Sequence, residues 1–189
     1  IGDWVLLQAC KIAKSWQSQF EFTPKISINI SSIQLNCHDF IDKLMQVLDK
    51  TQLSPTLLTF EITESLLIEN DEHILAKLQA IRNLGIDLSI DDFGTGYSSL
   101  SYLKRFPINI LKIDRAFITD ILVNSEDEAL TCAILSIAKS LGLKVVAEGV
   151  EDIAQCELLS KHNCQFVQGY LFSKPLENIK FIEYLAGNS

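Results

Sequence analysis

The sequence predicts an α/β fold, a modified TIM (β/α)8 barrel that lacks its first two strands. Three observations predict it. Segments with strand alternation and segments with helical spacing take turns along the chain, giving six β→α steps in one direction. Nearly every strand closes on a polar residue in the same phase: Asn29, Glu61, Asp91, Lys112 with Asp114, Glu148 and Gln168. The chain has 189 residues and opens in a helix, whereas such a barrel takes roughly 250 and opens in a strand. An open doubly wound sheet is the competing architecture. It would spread the polar residues along an edge, while a barrel gathers them in its C-terminal mouth, where barrel active sites lie.

The elements follow in order. "DWVLLQACKIAKSW" has helical spacing, with Leu6, Ala9, Ala13 and Trp16 on one face. "KISINIS" alternates as a strand with Ile26, Ile28 and Ile30 on one side, and a helix is expected near 39–50. "LLTFEIT" is the next strand. Residues 71–84 carry Ile74, Leu75, Leu78, Ile81 and Leu84 at helical spacing, and Gly85 stops them. "IDLSI" is a strand, and "SSLSYLKRF" a short helix capped by its serines. "INILKI" is followed by a helix over 126–141 closed by Gly142, then by "KVVAEG" as a strand. A helix over 151–161, a strand at "QFVQGY" and a helix over 178–186 complete the chain, with no linker and no second domain.

Composition narrows the function. A hydrophobic fraction of 48% supplies one substantial core. No apolar run approaches the roughly 18 residues of a membrane span, and no signal peptide opens the chain. A net charge of −8 without a basic tract argues against a DNA or RNA polymer and against contact with an anionic membrane. It leaves room for a small anionic ligand held through metals. Cys10, Cys37, Cys132, Cys156 and Cys164 are odd in number and form no C-x-x-C pair. They are expected as free thiols filling the core in a reducing cytoplasm.

The strand ends carry the chemistry. Glu61, Asp91, Asp92 and Glu148 converge with Asn29 and Lys112, while His38, His73 and His162 lie away from strand ends. Oxygen donors without His or Cys suit a hard cation, Mg²⁺ or Mn²⁺. Without a metal, so many carboxylates would raise one another's pKa. Two metals bridged by one carboxylate would resolve this and would clamp both oxygens of a phosphoryl transfer. Taken singly, each residue has a plainer reading: Asp91-Asp92 as a polar turn, Asn29 as a strand-end turn residue, Phe93 and Tyr97 as packing. Gly94 and Gly96 are weak alone, and Glu157, Glu177 and Glu183 fit solvated surface. Lys112, between Leu111 and Ile113, is costly unless paired. Regular alternation would make Asp91 and Asp92 diverge, and a turn at Gly94 and Gly96 is expected to bring both to the mouth.

"FEITES", "IDDFGTGYSSLSYLKRFPINILKIDRAF", "VVAEGVE" and "QGYLFSKPL" together resemble the EAL-domain family of bacterial cyclic-di-GMP phosphodiesterases, over essentially the whole chain. The resemblance implies a modified barrel with one antiparallel strand, hydrolysing cyclic di-GMP to linear pGpG with two Mg²⁺ or Mn²⁺ ions. It implies metal ligation by Asn29, Glu61, Asp91 and Asp92. Glu148 is implied near the second metal and the attacking water, Lys112 at that water and the scissile phosphate, and Gln168 at a further active-site position. Glu64 is implied to hold the loop after Asp92, and Asp114 to line the site. Calcium is expected to bind without supporting turnover.

The family's Glu-Ala-Leu strand would precede Ile1. The string Glu128-Ala129-Leu130 is a decoy, since it lies in a helix and Thr131 and Cys132 follow it in place of the family's arginine. The expectation is therefore one EAL-type domain over 1–189, truncated at its N-terminus. Its open strand edges would pair with a second copy as a homodimer. Its place is the cytoplasm, as part of a larger, membrane-tethered sensor. The alternative to the enzyme is an inactive cyclic-di-GMP receptor.

Overall fold

Among the described residues six strands lie side by side in chain order, all parallel: β1 (Ile26–Asn29), β2 (Leu58–Thr63), β3 (Asp87–Phe93), β4 (Ile110–Ile113), β5 (Lys144–Glu148) and β6 (Phe166–Gln168). A doubly wound sheet reverses its strand order at a switch point. This one does not, so it has the consecutive order of a barrel, of which it forms an open part. The computed structural model describes residues 1–20, 22–64, 66, 72–94 and 100–187. Gly96, Tyr97, Ser98 and Ser99, expected in the turn and cap after β3, lie outside them, as does Asp71 at the expected start of a helix.

Helices connect the strands: α1 (Gly2–Trp16), α2 (Ser32–Asn36), α3 (Phe40–Thr51), α4 (Glu72–Asn83), α5 (Leu100–Arg105), α6 (Ala116–Thr119), α7 (Ser125–Ser140), α8 (Ile153–Lys161) and α9 (Asn178–Gly187). The expected helices are present to within a residue or two at each described end. The short α2 and α6 are additions. α2 is closed by a reciprocal cap in which the Ser31 side chain accepts from Gln34 N–H and the Gln34 side chain accepts from Ser31 N–H. Neither short helix has an apolar stripe long enough to show as a period.

Strand alternation separates core from site. Phe60, Ile62, Leu88, Ile90, Leu111, Ile113, Val145 and Ala147 are all buried and join one core with Ile74, Leu78 and Ile81 of α4 and Ile134, Leu135 and Ala138 of α7. Register aligns Ile62 with Ile90, Ile90 with Leu111 and Leu111 with Val145, so the apolar rows run continuously across the central strands. The residues between them face the other way. On α1 the buried set is Leu6, Cys10, Ala13 and Trp16, with Ala9 half-buried. The core-filler expectation holds for Cys10. It fails for Cys37, which is exposed after α2, and Cys132, Cys156 and Cys164 are half-buried. All five are free thiols.

β1 and β6 end the sheet. Apolar side chains beside both ends are exposed: Ile1, Val5 and Ile33 near β1, and Phe166, Tyr170 and Phe172 at β6. Among the described residues no helix is long and apolar enough to cross a membrane.

Candidate active site

Asp91 and Asp92 are neighbours on a strand, where alternation should send them to opposite faces. The register shows how they avoid this. Ile90 pairs with Leu111 and Phe93 pairs with Ile113, so two residues of β3 oppose the single residue Lys112 of β4. This is a β-bulge. Asp92 takes the left-handed conformation, φ 55°, an arrangement that Asp tolerates better than most side chains. Phe93 thereby returns to the core side, 4% exposed, and both carboxylates stay on the site side. One oxygen from each of Asp91, Asp92 and Glu148 lies within 4.8 Å of the others. The expected divergence is overcome by a bulge inside the strand rather than by a turn after it.

Lys112 is the hub of the site. Its ammonium donates to Glu61 Oε2 at 2.8 Å and to Asp91 Oδ1 at 2.8 Å, and pairs with Glu148 Oε1 at 2.7 Å. The lysine is 5% exposed, so an unpaired ammonium here would be untenable. Burial alone would lower its pKa, but the hydrogen bonds it donates to Asp91, Glu148 and Glu61 raise it above the ordinary lysine value. Burial raises the pKa of Glu148, and Lys112 opposes that rise. Asp92 is raised too, first by desolvation, then by the Asp91 charge and by hydrogen bonding with Asp114. Four carboxylates (Glu61, Asp91, Asp92 and Glu148) thus face one ammonium. The all-oxygen donors and the excess of negative charge fit a hard divalent cation.

The loops after β4, β5 and β6 are fastened to one another beside this cluster. Gly149 follows Glu148 with φ +72°, and a Cβ there would lie 2.5 Å from Arg115 Cβ. Gly169 follows Gln168, and a Cβ there would lie 2.0 Å from the Val150 carbonyl oxygen. Only glycine fits at either position. Val150 N–H donates to Gln168 O at 3.1 Å and Leu171 N–H to Val150 O at 3.0 Å, which extends the β5–β6 pairing past the strands. A cavity of about 410 Å³ opens here, lined by Asp92, Asp114, Arg115, Glu148, Gln168 and Tyr170 among others. At the other side of the cluster Gly94 N–H donates to Glu64 Oε2 at 3.3 Å. Glu64 is 8% exposed, and its Oε1 has no partner among the described residues.

The structure therefore brings Glu61, Asp91, Asp92, Lys112 and Glu148 together, with Asp114 against Asp92 and Gln168 in the same cavity wall. Glu64 reaches the first residue of the loop after β3. Asn29 lies level with Glu61 in the sheet register but is exposed on the edge strand β1. The decoy Glu128 sits in the first turn of α7, 3.7 Å from His162. Glu157, Glu177 and Glu183 are exposed, as expected of surface carboxylates. Sequence reasoning missed Arg115, Gly149 and Tyr170. The run Ile90-Asp-Asp-Phe93 held the signal for the bulge, since two core residues separated by two polar ones break strand alternation.

Comparison with known proteins places these features. The EAL domain family model matches residues 1–175. The chain is 44% identical over 185 residues to the signaling protein YkoW of Bacillus subtilis, covering 98% of this chain and 23% of that protein. It is 40% identical over 185 residues to the cyclic di-GMP phosphodiesterase NbdA of Pseudomonas aeruginosa, covering 98% of this chain and 24% of that one. It thus spans about a quarter of the length of these curated relatives. Among solved structures, the PaMucR phosphodiesterase in complex with c-di-GMP superposes with a TM-score of 0.90 at 39% identity, over 95% of this chain and 73% of that one. With the family model matched over most of its length and these relatives alike in sequence and fold, the chain belongs to the EAL domain family.

Proposed function

We propose that this chain is the catalytic part of a metal-dependent phosphodiesterase that hydrolyses cyclic di-GMP to linear pGpG. The observation that carries the reading is the cluster in which Lys112 binds Glu61, Asp91 and Glu148 beside the Asp91–Asp92–Glu148 donor set. The relatives support it: one is named a cyclic di-GMP phosphodiesterase, and a similar structure is a phosphodiesterase bound to c-di-GMP.

In this reading Asn29, Glu61, Asp91 and Asp92 would hold Mg²⁺ or Mn²⁺, and Glu148 would serve a second such ion. Two such cations, when bound, supply Lewis acidity to the phosphoryl oxygens. The chain's own groups do the rest. Lys112, kept protonated by its partners, places a fixed positive charge where negative charge develops at phosphorus. Glu148, raised by burial, accepts a proton from the attacking water at a carboxylate oxygen. The water oxygen joins phosphorus and the P–O3′ bond breaks; the leaving O3′ takes a proton from solvent water, which leaves the 5′-phosphate of pGpG and a 3′-hydroxyl, and Glu148 returns its proton to solvent. Gln168 and Asp114 line the substrate side, and Glu64 positions the loop after β3. Calcium fits the same donors but relaxes the geometry, so it occupies without turnover. The chain acts within one EAL-type domain, as a homodimer, in the cytoplasm.

Incubation with cyclic di-GMP and Mg²⁺ or Mn²⁺, followed by chromatography, tests the reading. Accumulation of pGpG is expected, lost in EDTA and in Ca²⁺. Tight binding of cyclic di-GMP with no pGpG under any metal would establish a receptor instead.

A further inference from the structure

We propose that Gln155 is a positioning residue, whose carboxamide clamps the loop carrying Glu148 to the end of α6 and so sets Glu148 against Lys112 and the Asp91–Asp92 bulge. The proposal rests on the phosphodiesterase reading for its catalytic consequence, though not for its geometry.

Gln155 lies in the first turn of α8 and is 6% exposed. Its Oε1 accepts from the backbone N–H of Glu151 at 2.8 Å and of Asp152 at 3.1 Å. Its Nε2 donates to Ile118 O at 3.0 Å and to Thr119 O at 3.2 Å. A glutamine has two donors and two acceptor positions, and all four are used. The orientation is fixed by the partners, because a flipped amide would set N–H against N–H and oxygen against carbonyl oxygen.

The plain explanation of this residue is a capping box with Asp152, and that box is present. It accounts for only one of the four bonds. Glutamate serves a capping box as well as glutamine. A glutamate here would aim its second anionic oxygen at the Ile118 and Thr119 carbonyls in a buried setting. The amide is therefore required by the bridge, not by the cap. The bridge joins two neighbouring β→α units. One end is the last turn of α6, in the unit that carries Lys112 and Asp114. The other is Glu151, three residues past Glu148. Between them Gly149 packs on Arg115, so a shift of this loop is passed to Glu148 with little slack.

The test compares Q155E and Q155M with D152A, using cyclic di-GMP hydrolysis and amide hydrogen exchange of residues 148–152 in the intact chain. D152A removes the side chain that accepts from Ala154 N–H at 2.7 Å and leaves the bridge in place. It should lower the melting temperature while keeping kcat and the slow exchange of the Glu151 amide. Q155E should lower kcat about 10- to 100-fold with KM little changed, as expected when a reacting group is displaced by a fraction of an ångström. Its Glu151 amide should exchange faster. Q155M, uncharged and close in volume, gives the same reading should Q155E fail to fold. Wild-type kcat in the Gln155 variants, or an equal loss in D152A, would overturn the proposal. Absence of hydrolysis in the wild type would sink the phosphodiesterase reading alone. The clamp would then be overturned by an unchanged Glu151 exchange rate in Q155M.

Discussion

The middle of the sheet and its two edges carry the same kind of residue in different states. On β2–β5, Glu61, Asp91, Lys112 and Glu148 are withdrawn from water and bound to one another. On β1 and β6, Asn29 and Gln168 hold equivalent strand-end positions and are exposed. The strands are alike in polarity pattern, so the difference is made by neighbours. A central strand has a partner on each side, and its polar residue meets groups from both. An edge strand has one. The centre of the site is therefore self-assembled by these six strands, while the contribution of the edges depends on what stands beyond them.

Removing the hub should break the centre most severely. Lys112→Met leaves Glu61, Asp91 and Glu148 facing one another without their cation. Deleting one partner of a buried ion pair costs about 3–5 kcal/mol, and that much is expected in urea unfolding at neutral pH with EDTA present. The sign of the pH effect follows from the carboxylates. Glu148 already has a raised pKa, and loss of Lys112 raises it further. A carboxylate whose folded pKa is raised costs stability above that pKa, and the cost fades as pH falls through it. The gap between variant and wild type should therefore narrow from pH 8 to pH 5. A gap below about 0.5 kcal/mol at pH 8, the range of ordinary surface substitutions, would mean that the ring is not what holds the centre.

Asp91→Asn tests the chemistry of the centre with less damage to its packing. The amide keeps the shape and can still accept from Lys112 Nζ, so unfolding should change little. If Asp91 is the metal ligand proposed above, turnover should fall about 10³-fold, since removing a ligand that stabilises developing charge is worth several kcal/mol. Equal rates of pGpG formation in variant and wild type would remove Asp91 from the site.

Much of this was legible in the sequence. The alternation of strands and helices, the stops at Gly85 and Gly142, and the phase of polar strand ends are local, and each recurs at a fixed spacing. Lys112 announced itself because an ammonium between Leu111 and Ile113 needs partners. What escaped depends on contacts between distant segments. The bulge at Asp91-Asp92 is a register relation between β3 and β4. The need for glycine at 149 arises from Arg115 of another unit, and that at 169 from Val150. Asn29 matches the motif as well as Glu61 does, yet its exposure is decided by its place at the sheet edge, which no local pattern records.

Between centre and edge stands the loop after β5, and Gly149→Ala probes it. The new methyl group meets Arg115 Cβ at 2.5 Å and takes a left-handed φ. Such backbone strain costs about 1–3 kcal/mol. Because Gly149 adjoins Glu148, turnover should fall along with stability. Stability unchanged from wild type would show that Arg115 yields freely and that the loop is not fastened there.

The smallest effect on folding is expected at the edge, and it separates the two regions most clearly. Asn29→Ala alters an exposed side chain at the end of β1, so stability should stay within about 0.5 kcal/mol of wild type. Its register partner Glu61 is 9% exposed and bound to Lys112, and Glu61→Ala should cost several times more. The two residues are proposed to ligate the same metal, so their effects on Mn²⁺ affinity should be alike while their effects on unfolding differ. Titration calorimetry with Mn²⁺, paired with urea unfolding in EDTA, measures both quantities on the same samples. If Asn29→Ala leaves Mn²⁺ affinity unchanged while Glu61→Ala abolishes it, the metal belongs to the central strands alone. If both variants unfold at the same urea concentration, the contrast between a self-supporting centre and a dependent edge is wrong.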